Sequence, residues 1–260
     1  MPYTKDGIKY PRCTGIISDC TSKGDAMTQW AANCVVEYMK ESLDPFLRHG
    51  GETWDRHEFV LEQLDKARFA HKSVSDTALD IGSEVHNAIE KYLQRRIDKK
   101  EDLALTDPIY LKLSDQARQG FNAFIAWEET HDLKPIELEK TVYGSRWAGT
   151  LDFYGYFDDK LYVIDWKTSK PKNKKTGKGI YPEMRYQVAA YRSVMRHEAH
   201  ETFFKPIEGC GVLRLDKETG MPDWNDTSKT YDSDLRVFNR MVDLYFERHA
   251  RIAKRFKHGE

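Results

Sequence analysis

The segment from Gly149 to Thr168 constrains the fold of this chain more than any other part of the sequence. Two runs rich in β-branched and aromatic residues flank the polar pair Asp158-Asp159, which is the pattern of a β-hairpin closed by a two-residue turn. Both runs are apolar at odd and at even positions, so each strand has two faces to bury. The sequence therefore predicts a central hairpin that is covered on both sides.

Two carboxylates interrupt this apolar hairpin. A two-residue turn pairs Asp152 directly with Asp165, which places their Cβ atoms roughly 4.5–5.5 Å apart on one face. Lys167 follows two residues after Asp165 and therefore shares that face. Buried like charges repel each other and are costly to desolvate, and a divalent cation between them removes the conflict. The pattern therefore outlines a metal-dependent site for phosphodiester cleavage. The alternative interpretation is an exposed hairpin whose charged side chains are solvated.

Four short elements resemble those of the RecB-like branch of the PD-(D/E)xK nucleases and occur in the order of that family. They are Gly82-Ser-Glu-Val-His86, Gly149-Thr-Leu-Asp152, Asp165-Trp-Lys167 and Gln187-Val-Ala-Ala-Tyr191. Each element is weak alone, and the resemblance depends on all four together. Within the branch, the pattern is most similar to phage and mitochondrial exonucleases.

The resemblance implies a set of ligands for Mg²⁺ or Mn²⁺. These ligands are His86, Asp152, Asp165 and the backbone carbonyl of Trp166. A histidine ligand favours Mn²⁺, because Mg²⁺ prefers a shell of oxygen atoms alone. The family often has an acidic residue near Glu139 that reaches the metal through water, although a surface glutamate on an edge strand fits the sequence equally well.

Three further side chains are implied to act in catalysis beside the metal. Lys167 would position the attacking water or help to deprotonate it, Gln187 would donate to a phosphate, and Tyr191 would orient Gln187 or the lysine. Without the resemblance, Gln187 and Tyr191 are ordinary boundary positions of a helix. Gly82 lies one helical turn before His86, and we expect it to let that helix approach another backbone closely.

Basic residues near these elements are candidates for binding a nucleic-acid backbone. Arg185 precedes Gln187 on the same helix and can meet a phosphate, although a solvated arginine is equally consistent. The loop at 170–179 carries lysines and no acidic residue, and it follows the strand of Lys167. Such a loop is usually a solvated linker, but its position predicts backbone contacts by Lys170, Lys172, Lys174 and Lys175.

Composition limits the class of protein. The net charge of −1 excludes a general polycation that coats nucleic acid, so any affinity must come from a local patch. A run of about 18 apolar residues is absent from the sequence, which argues against a membrane span, and no signal region is evident, so we expect a cytoplasmic protein. The resemblance to phage exonucleases implies a bacterial or phage origin. The four cysteines, of which only Cys210 is late, do not match the clustered ligands of iron–sulfur relatives, so no such cluster is expected.

Periodicity and turn residues predict the order of elements. We expect helices at about 24–42, 55–72, 76–98 and 107–131, with the first helix ending at Asp44-Pro45. Strands at 135–143, 147–157 and 161–168, a helix at 182–200, a strand at 209–216 and a terminal helix at 231–257 follow. The fold class is therefore α/β with a mixed sheet, and the resemblance implies a restriction-endonuclease-like αβββαβ core. We expect a helical region at 1–75 packed on a nuclease core at 76–260.

The function implied by the resemblance is that of a metal-dependent DNA exonuclease, leaving 5′-phosphate and 3′-hydroxyl ends. Its partner would be DNA with a free end, single-stranded or duplex. An endonuclease of the same superfamily is one alternative, and a non-catalytic recombination protein on a decayed nuclease fold is another. A recombination or single-strand-binding protein is a candidate partner, and the sequence leaves the oligomeric state, the polarity of digestion and the biological pathway open.

Overall fold

A computed structural model describes residues 3–21, 24–49, 53–98, 108–203 and 206–253 of the chain. The strands in this part are β1 (Tyr3–Lys5), β2 (Ile8–Tyr10), β3 (Leu133–Tyr143), β4 (Ala148–Phe157), β5 (Lys160–Thr168), β6 (Gly209–Leu215) and β7 (Pro222–Asp226). The last five form one sheet in the order β3-β4-β5-β6-β7. Its β5–β6 pair is parallel and its other three pairs are antiparallel.

The helices of the described residues precede, separate and follow these strands along the chain. They are α1 (Cys13–Cys20), α2 (Gly24–His49), α3 (Thr53–Ala67), α4 (Ala70–Ile97), α5 (Pro108–Leu111), α6 (Asp115–Glu128), α7 (Pro182–Phe203), α8 (Tyr231–Arg248) and α9 (Ala250–Ala253). The succession of α6, β3, β4, β5, α7 and β6 is the predicted αβββαβ order. The expected mixed α/β fold is confirmed.

The central hairpin forms in the predicted register. Asp158 and Asp159 both have positive φ values of 48° and 61°, as a type I′ turn requires. The β4–β5 ladder runs from Phe157↔Lys160 to Phe153↔Ile164 and ends there. The expected direct pairing of Asp152 with Asp165 is therefore not formed.

Both faces of the hairpin are covered, as the apolar pattern predicts. On one face Trp127 of α6 stacks on Phe157, with ring centroids 5.5 Å apart, and Phe124 meets Trp166 edge-on at 5.4 Å. Val163 belongs to a buried cluster that includes Val188 of α7. This burial on two sides leaves Asp165 with no solvent exposure.

Several element boundaries differ from the sequence-based expectation. α2 continues through Pro45 to His49, since a proline removes one hydrogen bond of a helix without having to end it. α4 begins at Ala70, six residues earlier than the helix expected at about 76–98. The fourth predicted helix is interrupted before α6, where Ser114 accepts a hydrogen bond from the Ala117 N–H as N-cap. Asp107 and residues 254–257 of the predicted helices lie outside the described residues.

The chain divides into two compact units. One contains Met1–Thr21 and Gly82–Glu260, and the other contains Ser22–Ile81. The first twenty-one residues thus group with the sheet. They do so because β4 reaches back to them: the Ala148 N–H donates to the Pro11 carbonyl at 3.0 Å. Among the described helices, none is long and apolar enough to cross a membrane.

Candidate active site

His86 and Asp152 form the first contact of the candidate site. His86, on α4, places its Nδ1 atom 3.5 Å from Oδ1 of Asp152 on β4. The other carboxylate oxygen accepts a 2.6 Å hydrogen bond from the backbone N–H of Trp166. Burial disfavours ionised Asp152, but His86, Lys167 and this N–H outweigh burial and hold the pKa of Asp152 below its usual value. Asp152 is therefore a buried carboxylate that stays ionised.

The carbonyl of Trp166 lies on the same side of β5 as its N–H, because both groups of one strand residue point to the same edge. That edge is the one from which Asp152 approaches. The predicted ligand carbonyl thus faces the space beside Asp152. The backbone pairing of β4 with β5 ends at Phe153↔Ile164, and beyond it the side chain of Asp152 accepts the hydrogen bond of Trp166 that a backbone carbonyl would otherwise accept.

Asp165, Lys167 and Gln187 form a second network next to the first. Lys167 Nζ lies 2.6 Å from Oδ2 of Asp165, and Gln187 Nε2 donates to Oδ1 at 3.0 Å. Burial raises the pKa of Asp165 to about 6, against the lowering effect of Lys167. Burial lowers the pKa of Lys167, but Asp165 and Asp152 outweigh it, so the pKa of Lys167 is raised and the ammonium stays charged.

Tyr191 rests directly on the backbone of Gly149. A Cβ at Gly149 would lie 2.6 Å from Cε1 and 2.7 Å from the hydroxyl oxygen of Tyr191. That hydroxyl accepts a 3.1 Å hydrogen bond from Gln187 Nε2, the same amide nitrogen that binds Asp165. Both Gln187 and Tyr191 are buried. In this structure they hold Asp165 in place, whereas the sequence assigned Gln187 to a phosphate.

Glu139 lies on β3, between the pairs Leu138↔Phe153 and Lys140↔Leu151, and is thus level with Asp152. Its φ of 46° is left-handed, a conformation that residues other than glycine rarely adopt. Burial, followed by the charge of Asp152, raises the pKa of Glu139 to about 7. Glu139 is therefore half-buried and does not match the alternative interpretation of a surface glutamate on an edge strand.

The side chains of His86, Glu139 and Asp152 fit a divalent cation. One ligand atom from each lies within 4.8 Å of the other two. The set offers one imidazole nitrogen and two carboxylate oxygens, and a cation would neutralise the repulsion that raises the pKa of Glu139. Oδ1 of Asp165 accepts a hydrogen bond from Gln187, whereas the buried Oδ2 lies 2.6 Å from Lys167 Nζ without a hydrogen bond among the described residues, and the assignment of Asp165 as a ligand stays a prediction.

A family model described as the PD-(D/E)XK nuclease superfamily matches residues 56–251, a range that contains every residue of this site. The chain belongs to this superfamily. No curated protein matches it. Membership indicates a nuclease, and PD-(D/E)XK nucleases use divalent metals, which agrees with the ligand group at His86, Glu139 and Asp152.

Gly82 and Arg185 have other surroundings in this PD-(D/E)XK nuclease than the sequence predicts. A Cβ at Gly82 would meet no described atom within 4 Å, so the expected close approach to another backbone is wrong. Arg185 forms a bidentate ion pair with Asp234 of α8, at 2.6 Å and 3.1 Å. This pair binds α7 to α8 and occupies the guanidinium that was expected to meet a phosphate.

Arg214 is the residue that the sequence reasoning missed. It lies on β6 with 1% of its surface exposed and pairs with Asp216 and Asp223. Its guanidinium also donates to the carbonyls of Ser169 and Gly177, in the lysine-rich loop after β5. A single arginine inside the apolar run Gly-Val-Leu-Arg-Leu was the available signal, because a buried charge needs partners.

Proposed function

We propose that this PD-(D/E)XK nuclease is a metal-dependent DNA exonuclease of the RecB-like type. The observation that carries the proposal is the convergence of His86, Asp152, Asp165 and Lys167 at the point where β4 and β5 stop pairing. These four residues come from three of the four elements that resemble the RecB-like branch. The fourth element, with Gln187 and Tyr191, supports them from α7.

His86, Asp152 and the Trp166 carbonyl would hold Mg²⁺ or Mn²⁺, with Glu139 beside them directly or through water and Asp165 completing the set. Such a cation polarises a phosphate and lowers the pKa of a bound water to near neutrality. The imidazole favours Mn²⁺ over Mg²⁺ within this set.

The protein's own groups provide the rest of the chemistry. Lys167 carries a positive charge on the same face as Asp165, so it can orient the attacking water and offset negative charge that develops on the phosphate. Gln187 fixes the carboxylate of Asp165, and Tyr191 fixes Gln187.

Linear DNA labelled separately at each end tests the proposal. We expect degradation from an end in Mn²⁺ or Mg²⁺, no degradation in excess chelator, survival of covalently closed circles, and products with 5′-phosphate and 3′-hydroxyl ends. Efficient linearisation of a closed circle would instead favour an endonuclease. DNA binding without cleavage in either metal would refute the catalytic proposal and favour a decayed nuclease fold.

A further inference from the structure

The loop from Ser169 to Gly179, which we name the lysine hairpin, is a hydrogen-bonded hairpin. The Lys172 N–H donates to the Gly179 carbonyl at 3.1 Å, and the Asn173 N–H donates to the Lys178 carbonyl at 3.0 Å. Inside the turn, the side-chain oxygen of Asn173 accepts from the backbone N–H groups of Lys175 and Thr176. The lysine hairpin therefore has a defined shape and is not the solvated linker that its composition indicates.

Arg214 and Asp223 fix both ends of the lysine hairpin to the sheet. Arg214 donates to the Ser169 carbonyl at 3.1 Å and to the Gly177 carbonyl at 2.6 Å. Asp223 on β7 accepts from the Gly179 N–H at 2.7 Å. Burying an arginine is costly unless its donors are satisfied, so this arrangement holds the hairpin strongly in one orientation.

The lysine hairpin presents a concentrated positive charge. Lys170 is neutralised by Glu218 at 2.8 Å. The other four lysines are exposed, and within the described part of the chain none of them forms an ion pair; they are Lys172, Lys174, Lys175 and Lys178. In a protein with a net charge of −1, this is the local patch that binding a polyanion requires.

The lysine hairpin also begins close to the catalytic lysine. Lys170 lies three positions after Lys167 along the chain, which is a reach of about 10 Å at 3.3 Å per residue. That length equals the rise of about three base pairs of duplex DNA. A nucleic acid with one phosphate at Lys167 would therefore have neighbouring phosphates at the level of the hairpin.

The geometry points to the lysine hairpin as a preformed binding element for the phosphates of the DNA strand next to the cleaved bond, with Arg214 as its positioning residue. This inference rests on the proposed function, because it takes the substrate to lie at Lys167. Exposed lysines recognise phosphate charge and not base sequence, so binding here is independent of sequence.

The first test replaces Lys174 and Lys175 by glutamine and measures binding of a short fluorescein-labelled duplex by anisotropy in EDTA. Two lost phosphate contacts reduce the slope of log affinity against log salt by about 1.8 for duplex DNA. Between about 50 and about 200 mM salt, the wild-type protein would thus lose about 12-fold more affinity than the variant. Single-stranded DNA should give a smaller change of slope, about 1.4.

The matched control replaces Lys160 and Lys229 by glutamine. Both lysines are exposed, and Lys160 lies at the opposite end of β5 from Lys167, about 23 Å away at strand spacing. This control removes the same total charge but leaves the lysine hairpin intact. Equal salt slopes for the two double variants would overturn the inference.

The second test replaces Arg214, the positioning residue, by lysine. Arg214→Lys keeps a positive charge between Asp216 and Asp223 but loses the forked guanidinium that donates to the two carbonyls. Trypsin should cleave this variant within 172–178 faster than the wild type, and duplex affinity should fall in the same direction as in the Lys174/Lys175 variant. Unchanged proteolysis and affinity would show that Arg214 does not position the hairpin. If this variant does not fold, the lysine substitutions decide the inference alone.

Failure of the inference and failure of the proposed function give different results. In one outcome, the wild-type protein cleaves DNA while the Lys174/Lys175 variant binds DNA like the control variant. That result would refute the role of the lysine hairpin in binding and leave the nuclease proposal intact. A wild-type protein that binds with the expected slopes but never cleaves refutes the nuclease proposal and retains the hairpin as a DNA-binding element.

Discussion

Replacing Gly149 by alanine tests the contact that connects β4, through Tyr191 and Gln187, to the carboxylate of Asp165. Ordinary contacts of a Cβ lie at 3.4–4 Å, whereas the new Cβ would lie 2.6 Å from Cε1 of Tyr191, so the ring must move by about 1 Å. Tyr191 is 2% exposed and has little room. A displacement of this size also stretches its 3.1 Å hydrogen bond with Gln187 beyond bonding distance.

The expected cost follows from these two losses. Overpacking a buried site costs about 1–3 kcal/mol, and the lost hydrogen bond adds about 1 kcal/mol. The lower entropy of the unfolded chain with alanine offsets about 0.4–1 kcal/mol. We therefore expect Gly149→Ala to reduce the free energy of unfolding by about 1–3.5 kcal/mol, or roughly 2–14 °C in Tm for a domain of this size.

Gly82→Ala is the matched control, because the same substitution meets open space there within a helix. We expect it to stabilise the protein by about 0.5–1 kcal/mol. Urea unfolding measures both values, and a double variant of Gly149→Ala with Tyr191→Leu should cost less than the sum of the two single changes. Equal effects of the two alanine substitutions, or strict additivity in the double variant, would refute the assigned contact.

Three further predictions concern the charged groups of the site. Asp165→Asn should lower cleavage by at least about 10²-fold while the circular-dichroism spectrum stays native, because it keeps the volume and the Gln187 contact but removes the charge; wild-type turnover would show that this carboxylate is not needed. Lys167→Ala should lower single-turnover cleavage by about 10²–10⁴-fold without reducing metal affinity by calorimetry, since an ammonium cannot ligate a cation; parallel loss of metal binding and activity would contradict this role. Glu139→Gln should make stability in EDTA less dependent on pH between about 4.5 and about 7, with exposed Glu129→Gln as control. Folded Glu139 keeps its proton up to a pKa of about 7, whereas the unfolded chain releases it near 4.5. The free energy of unfolding contributed by this group therefore falls as pH rises through that window. An unchanged pH profile in Glu139→Gln would contradict the burial of Glu139.

The parts of the fold that depend on local chemistry could be predicted from the sequence. The turn at Asp158 and Asp159, the register that follows from it and the burial of both hairpin faces all result from residues adjacent in the chain. The same register places Asp165 and Lys167 on one face, and their 2.6 Å contact agrees with it. Lys167 lowers the pKa of both aspartates and so offsets part of the expected repulsion between them.

The parts that depend on distant residues could not be predicted. Arg185 has its partner Asp234 on a helix 49 positions later, and Arg214 binds carbonyls of a loop 37 and 45 positions earlier. The left-handed backbone of Glu139 has no signal in the sequence either, because residues other than glycine rarely adopt this conformation.

The hydrogen bond from the Trp166 amide to Asp152 makes a backbone proton an internal reporter of the site. Its chemical shift in a nitrogen–proton NMR spectrum should follow the charge state of the carboxylate and any cation that the carboxylate binds. The same bond makes alanine a misleading replacement for Asp152, because it would leave the buried N–H of Trp166 without an acceptor. Loss of activity in that variant could then result from misfolding and not from the missing carboxylate. Asparagine, whose carbonyl oxygen can still accept this proton, is the substitution that would give an inert protein with an intact sheet.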